Sequence, residues 1–291
     1  MPHTLRRRTP RLGILLAFLA IALLGVWKSL AATPSASVVQ TQAQPPLRVF
    51  LRGGPKTHGP ADNGQHDGPT WVKEWMPLLE SRGAKVAGAL RFPTAEELEN
   101  TDVLVMFCAD GGAIAGEQRT YFEKFLKRGG GIVCFHDAVL APKDPLWFMN
   151  IIGGSWENGM AKYFEGDNTY YFVNTAHPIT KGAANFKITD EVYWDLHMSP
   201  DAQILAAVMQ PQQGRRGAAP DAIGKLIPQI WTYQNQLEGG VPYRAFVDLL
   251  GHHFTTFANP HARPIFLRGI AWAGKRDVDL LTTPEEVAGM K

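Results

Sequence analysis

The chain has 291 residues, of which 45% are hydrophobic, 10% aromatic and 19% charged. This composition excludes a disordered chain, and two cysteines are too few for a disulfide scaffold. The net charge of +2 comes from the N-terminus, because residues 1–31 hold five basic and no acidic residues. The rest of the chain has 24 basic and 27 acidic residues, a net charge of −3. A nucleic-acid partner is therefore not expected.

Residues 1–31 have the three parts of a secretory signal. Arginines at positions 6–8 precede an uncharged, largely apolar run over residues 12–27, and small residues follow. The run has 16 residues, fewer than the ~20 that a membrane-spanning helix needs. We predict export to the periplasm or the extracellular space, with an uncleaved N-terminal membrane anchor as the alternative. Residues 32–46 predict a flexible tether, so a domain over residues 47–291 would touch a membrane only through the N-terminal segment.

The domain begins with alternating strands and helices. Strands are predicted at 47–51, 85–89, 103–107 and 132–135. Three helices are predicted: one at 71–80, a short one that begins at the capping box Thr94-Ala-Glu-Glu97, and one at 117–127. Continuous apolar strands separated by helices are typical of a parallel sheet covered on both faces.

The pattern changes after residue 136. Strands are predicted at 170–173, 187–194, 204–209, 229–233 and 245–250, then a helix at 266–273, with a surface loop over 210–224. The fold class is therefore α/β, a three-layer, doubly wound, mainly parallel sheet of the flavodoxin-like kind, extended by antiparallel strands.

Polar residues follow three of the apolar strands. His58 and His66 lie in the loop after the first strand, Asp110 follows the third, and His136 and Asp137 follow the fourth. Ligands of parallel sheets bind beyond the carboxyl ends of the strands, so these side chains are expected to share a site. The glycine-rich nucleotide-binding motifs are absent, and no nucleotide cofactor is expected.

Several short motifs together resemble the ThuA-like (trehalose-utilisation) family. They are Thr57-His58-Gly-Pro with His66, Asp110-Gly-Gly, Gly129-Gly-Gly-Ile-Val-Cys-Phe-His136, Ile152-Gly-Gly154, His177-Pro-Ile-Thr-Lys-Gly182, Ile188-Thr-Asp190-Glu191-Val-Tyr193, Gly251-His252 and Arg268-Gly-Ile-Ala-Trp272. The resemblance implies a class I glutamine amidotransferase-like fold and a polar sugar or modified sugar as ligand.

In that fold class, the turn after the central strand carries a nucleophilic Cys or Ser. Here the turn carries His136, whose imidazole suits a base, a metal ligand or a sugar contact rather than acyl transfer. Glutamine amidotransfer and peptidase action are therefore not expected. Cys108 and Cys134 each end an apolar run and are predicted to be buried thiols, with a disulfide between them as the alternative.

Later motifs supply further candidates. Alternation along a strand places Glu191 and Tyr193 on one face, and the Gly251-His252 match favours His252 over His253. We predict catalytic roles for His136, Glu191 and Asp110. Substrate contacts are predicted for His58, His66, Asp137, Trp156, His177, Tyr193 and His252.

The histidines also predict a metal site. His58, His136 and His252 would hold a divalent ion such as zinc. The predicted function is that of an exported enzyme of carbohydrate catabolism that applies His/carboxylate acid-base chemistry to a sugar or keto-sugar derivative. Both a monomer and a homo-oligomer are compatible with the sequence. A non-catalytic carbohydrate-binding or sensing module is the alternative.

Overall fold

The computed structural model describes residues 44–209 and 225–291. The predicted leader, most of the predicted tether and the predicted surface loop over 210–224 lie outside the described residues. Among the residues described, none of the helices combines the length and the apolar character that crossing a membrane requires.

Eleven strands occur in the described part of the chain. In chain order they are β1 (Arg48–Gly53), β2 (Lys85–Ala89), β3 (Val103–Phe107), β4 (Gly131–Phe135), β5 (Gly154–Ser155), β6 (Lys162–Phe172), β7 (Phe186–Trp194), β8 (His197–Met198), β9 (Gln203–Met209), β10 (Leu226–Asn235) and β11 (Tyr243–Asp248).

Nine of these strands form one mixed sheet in the order β2-β1-β3-β4-β11-β10-β9-β6-β7. The first five are parallel to one another, and every pairing from β11 to β7 is antiparallel. The short strands β5 and β8 pair separately. The α/β architecture predicted from the sequence, a parallel sheet with an antiparallel extension, is confirmed.

Helices cover both faces of this sheet. They are α1 (Gly68–Ser81), α2 (Ala95–Glu99), α3 (Gly116–Lys127), α4 (Pro145–Ile152), α5 (Arg263–Ala273) and α6 (Pro284–Gly289), with 3-10 turns at His136–Val139 and Phe254–Ala258.

Strand alternation divides the core into two clusters, one on each face. Val103 and Val105 of β3 pack in the cluster that contains Trp71 of α1. Leu104 and Met106 point to the opposite face, where the aromatic residues of α3 pack. Both faces of β3 are buried, which is why the strand has no polar residue.

Helix α4 was not predicted. Its sequence is almost wholly apolar, so it lacks the polar stripe by which an amphipathic helix is recognised. Its signals are at the ends, where the Asp144 side chain accepts a hydrogen bond from the Trp147 N–H and Gly153 adopts a left-handed conformation with φ of 84°.

Candidate functional site

Four ionisable side chains converge at the carboxyl end of the parallel strands. His66 lies in the loop between β1 and α1, His136 directly follows β4, Glu191 is on β7, and His252 follows β11. All four residues are buried. One ligating atom from each lies within 4.8 Å of the corresponding atoms of the others. We call this set the His/Glu cluster.

His136 occupies the turn after β4 with a positive φ of 51°. Its Nδ1 lies 2.9 Å from the carbonyl oxygen of Leu249, so Nδ1 carries the proton and donates it. Burial, together with the nearby His66 and His252, lowers the pKa of His136 well below its ordinary range. The ring is therefore neutral, and its bare Nε2 faces the cluster.

His66 is held by the residue that follows His136. Its Nδ1 lies 2.7 Å from Oδ2 of Asp137 and donates to that carboxylate. Its Nε2 lies 2.8 Å from Nδ1 of His252 and 3.2 Å from Nε2 of His136. Three imidazoles thus meet at the Nε2 atom of His66.

Glu191 and Tyr193 complete the cluster from β7. The Tyr193 hydroxyl donates to Oε2 of Glu191 at 3.2 Å and lies 2.9 Å from Nε2 of His136. Oε2 of Glu191 is also 3.3 Å from Nδ1 of His252. Alternation along one strand places both β7 side chains here, as predicted.

The proximity of Glu191 and His252 changes the pKa of both residues. Burial acts to raise the pKa of Glu191, but the hydrogen bond and charge of His252 outweigh burial and lower it. Burial acts to lower the pKa of His252, but Glu191 outweighs burial and raises it. Both shifts favour the ionised pair. Burial and the charge of Glu191 raise the pKa of Tyr193 well above its ordinary range, so its hydroxyl stays protonated.

Asp190 ties β7 to the loop that carries His252. Its Oδ1 accepts hydrogen bonds from the backbone N–H of His252 at 3.0 Å and of Glu191 at 2.7 Å. Its Oδ2 accepts the hydroxyl of Thr256 and the N–H of Gly251. One buried carboxylate therefore positions two members of the cluster relative to each other.

A pocket of about 430 Å³ opens onto the cluster. One group of its lining residues is aromatic, and another is ionisable. The aromatic residues are Trp156, Tyr163, Phe164 and Tyr193, and the ionisable ones include His58, His66, Asp137, Glu165, Glu191 and His252. The volume suits a small polar ligand with an apolar face.

His58 lies at the exposed side of this pocket. Its ring stacks on that of His66 with centroids 3.9 Å apart, and its Nδ1 lies 3.0 Å from the Thr57 hydroxyl. Burial and the charge of His66 lower the pKa of His58, so its ring is neutral at pH 7.

The donor set of the His/Glu cluster, three imidazole nitrogens and one carboxylate oxygen, could hold a divalent transition metal. A second group beside it comprises Glu165, His252 and His253. There the imidazole of His253 pairs with Glu165 at 3.0 Å, which satisfies both side chains without an ion.

Comparison with known proteins identifies the family of this chain. Residues 62–273 match the ThuA family model, described as trehalose utilisation. The chain belongs to the ThuA family. Its fold is glutamine amidotransferase-like, as the resemblance implied.

Two crystal structures of ThuA-like proteins share this fold. One, from Bacteroides uniformis, is 17% identical with a TM-score of 0.58 and covers 79% of this chain and 93% of that one. Another, from Parabacteroides merdae, is 17% identical with a TM-score of 0.55 and covers 79% of this chain and 90% of that one. No sequence among the curated proteins matches.

Most of the predicted site residues are gathered at this one site. His136 lies beneath the pocket, fully buried. The pocket itself is lined by His58, His66, Asp137, Trp156, Glu191, Tyr193 and His252. The ring nitrogen that lies close to nitrogens of His136 and His252 is Nε2 of His66. His58, which was the expected third metal ligand, instead packs against the ring of His66.

Two predicted residues lie elsewhere. Asp110 is half-exposed and pairs with Arg52 at 2.8 Å. His177 accepts a hydrogen bond from the N–H of Ile179 through Nδ1 and packs on Trp272. Neither lines the pocket. Both residues have local contacts outside the pocket.

Glu165 was not predicted, His253 was set aside in favour of His252, and Asp190 was not selected although it stood in a quoted motif. Glu165 pairs with Glu191 across β6 and β7. This register was hidden because the predicted strand, residues 170–173, covered only the last three residues of β6. Correct strand pairing would have placed Glu165 at the pocket.

The two cysteines are free and buried, as predicted, so the disulfide alternative is not observed. Burial raises the pKa of Cys108 to about 12 and that of Cys134 well above its ordinary value. Both are therefore poor nucleophiles, and neither lines the pocket.

Proposed function

We propose that this ThuA-family protein is an exported enzyme of carbohydrate catabolism that acts on a keto-sugar derivative by acid-base chemistry. The observation that carries the proposal is one pocket lined both by aromatic rings and by a His/carboxylate set. The family's description as trehalose utilisation supports a carbohydrate ligand.

The aromatic lining supports sugar binding. The rings of Trp156 and Tyr193 are arranged edge to face with centroids 4.9 Å apart, and Trp156 is half-buried. The apolar face of a pyranose ring packs well on such a surface, while its hydroxyl groups need acceptors. Asp137 and Glu165 in the same lining offer carboxylates to those hydroxyls.

The acid-base step uses groups that reach the pocket. His136 is fully buried, so we give the role of base to His58, whose neutral ring lines the pocket. In the proposed step, the proton on the carbon beside the ketone moves to His58, and the electrons of the C–H bond form an enolate. Negative charge then develops on the carbonyl oxygen, where the Tyr193 hydroxyl and the protonated imidazole of His252, both in the pocket lining, stabilise it.

The proposal of export is supported only by the predicted leader, residues 1–31. The arginines at positions 6–8, the apolar run and the small residues after it support a secretory signal. Detection of a shortened chain outside the cytoplasm, by mass spectrometry of fractionated cells, would test this part separately.

The test of the chemistry is hydrogen exchange at carbon. The full chain is incubated in D₂O with a panel of sugars and keto sugars, and loss of the proton beside the ketone is followed by NMR. We expect exchange with at least one keto sugar, reduced about 100-fold or more in His58→Gln. Trp156→Ala is expected to weaken binding, because it removes the stacking surface.

His177→Gln is the matched control, since His177 lies outside the pocket, and it should leave exchange unchanged. Binding of a keto sugar without exchange or product would contradict the enzyme proposal and support the alternative, a carbohydrate-binding or sensing module. Exchange that persists in His58→Gln would overturn the assignment of the base.

A further inference from the structure

Hydrogen bonds determine which nitrogens of two cluster histidines are bare. Leu249 presents a carbonyl oxygen to Nδ1 of His136, and Asp137 presents a carboxylate oxygen to Nδ1 of His66. Both partners only accept, so both Nδ1 atoms carry protons. In neutral rings the two Nε2 atoms are then lone-pair acceptors.

These two bare Nε2 atoms lie 3.2 Å from each other. Two lone pairs at this distance repel. A proton between them would make one of two buried rings cationic, next to the third imidazole of His252. In the metal-free chain, the Tyr193 hydroxyl, 2.9 Å from Nε2 of His136, and Nδ1 of His252, 2.8 Å from Nε2 of His66, can donate to these lone pairs. A cation that accepts both lone pairs would replace those donors and remove the repulsion.

The other distances fit such a cation. Nδ1 of His252 lies 2.8 Å from Nε2 of His66, and Oε2 of Glu191 lies 3.3 Å from Nδ1 of His252 and 3.5 Å from Nε2 of His136. In a tetrahedral site with bonds of about 2.0–2.2 Å, ligand atoms are about 3.3–3.6 Å apart. The separations of 3.2, 3.3 and 3.5 Å lie in or near that range, the separation of 2.8 Å is shorter, and all four atoms lie within 4.8 Å of one another.

The surroundings are those of a pre-organised metal site. Asp137 and the Leu249 carbonyl orient two imidazoles by accepting hydrogen bonds from the nitrogens that face away from the cluster. Metal-binding histidines are usually oriented in this way, by an acceptor at the ring nitrogen that does not bind the metal. His66 and His136 also have positive φ values, 44° and 51°, which are unfavourable for residues other than glycine. The fold thus maintains strain at both residues while aiming their Nε2 atoms at one point.

We propose that the His/Glu cluster binds one divalent transition-metal ion, zinc by preference, through Nε2 of His66, Nε2 of His136, Nδ1 of His252 and Oε2 of Glu191. Three nitrogens and one oxygen in tetrahedral arrangement suit zinc, whereas magnesium and calcium require oxygen ligands. His66 is a ligand and His58 is not.

This site goes beyond the proposed function and does not depend on it. If a keto sugar is the substrate, an ion held by these four residues would supply positive charge close to the enolate. His58, the proposed base, packs against His66 with ring centroids 3.9 Å apart. Metal binding is measured without any sugar, so its failure is distinguishable from failure of the proposed chemistry.

The experiment titrates Zn²⁺ into the full chain after removal of metal by a chelator, with elemental analysis before and after. We expect one zinc ion per chain. Loss of an outer-shell partner of a metal site typically weakens binding about 10–100-fold, so His66→Gln, which removes a ligand, should weaken it by more than about 100-fold. Co²⁺ in the same site should give the intense visible absorption of tetrahedral coordination.

Two controls separate ligation from folding. His58→Gln and His177→Gln should each bind one Zn²⁺ with the affinity of the parent chain, and circular dichroism of every variant should match that of the parent. The absence of stoichiometric binding would overturn the proposal. So would binding that survives in His66→Gln, or that is lost equally in His177→Gln, because the ion would then not depend on the cluster.

Discussion

At the scale of single residues, the carboxylate of Asp137 determines the orientation of His66. Both side chains are buried, and Oδ2 of Asp137 accepts a hydrogen bond from Nδ1–H of His66 at 2.7 Å. A buried donor that loses its acceptor costs about 1–3 kcal/mol. A substitution at position 137 should therefore change the free energy of unfolding of the chain by a measurable amount.

We expect Asp137→Ala to lower the free energy of unfolding of the metal-free chain by about 1–3 kcal/mol, measured by denaturant titration with a chelator present. Asp137→Asn retains an oxygen that can accept the hydrogen bond from His66, so its free energy of unfolding should fall markedly less. Equal losses in the two variants would show that the hydrogen bond is not what position 137 contributes.

Sequence reasoning reached most residues of the site but not their distances. The positions of His136 and Asp137 follow from one apolar strand, because a side chain directly after a buried strand lies at the sheet edge. Which of His58 and His66 lies in the cluster with His136 and His252 could not be predicted, because both residues are in a loop without periodicity. The choice is decided by the positive φ of His66 and by the pairing of Gln65 with His253, neither of which a residue pattern encodes.

At the scale of elements, Gly111 lets the loop after β3 pack against the turn that carries the site. A Cβ atom at Gly111 would lie 1.9 Å from the carbonyl oxygen of Ala138, within the 3-10 turn His136–Val139. Since that contact is with backbone, a side chain at position 111 must displace either the loop or the turn.

We expect Gly111→Ala to lower the free energy of unfolding by about 1–3 kcal/mol, the usual cost of overpacking. Gly289→Ala is the matched control, because a Cβ there meets nothing within 4 Å, and it should be neutral or slightly stabilising. Thermal unfolding of both variants checks this. A Gly111→Ala chain as stable as the parent would mean that the loop moves at no cost.

Elements with a clear period were predictable, and those without one were not. Four of the five parallel strands, β1, β3, β4 and β11, are largely buried runs and the helix α3 is amphipathic, so their existence followed from the pattern. Helix α4 lacked a polar stripe. Strand β6 begins at Lys162, eight residues before the predicted start, because its first half is only half-buried and lacks a continuous apolar run.

At the scale of the whole molecule, we expect the stability of the chain to depend on pH through a buried acid at the end of a central strand. Asp248 ends β11 and is fully buried. Its Oδ1 accepts the N–H of Leu250 at 3.1 Å, and its Oδ2 has no hydrogen-bond partner among the described residues. Burial, outweighing that hydrogen bond, raises the pKa of Asp248 well above its ordinary value.

The sign of the effect follows from proton linkage. Above the ordinary pKa of 3.8, the unfolded chain loses the Asp248 proton while the folded chain retains it. Stability therefore falls as pH rises towards the folded-state pKa, by up to about 1.4 kcal/mol per pH unit. Asp248→Asn removes this slope and keeps an acceptor for Leu250, so its stability relative to the parent should increase with pH above about 4.

Asp102→Asn provides a control of opposite sign. Burial acts to raise the pKa of Asp102, but hydrogen bonds and charge from Arg48 outweigh it and lower the pKa. The stabilisation from this pair is complete above the ordinary pKa of 3.8 and is lost as pH falls through the folded-state pKa. Denaturant titrations of both variants from about pH 4 to pH 8 should therefore show a constant loss for Asp102→Asn and a growing gain for Asp248→Asn. A pH-independent difference for Asp248→Asn would mean that the folded chain ionises this carboxyl without cost.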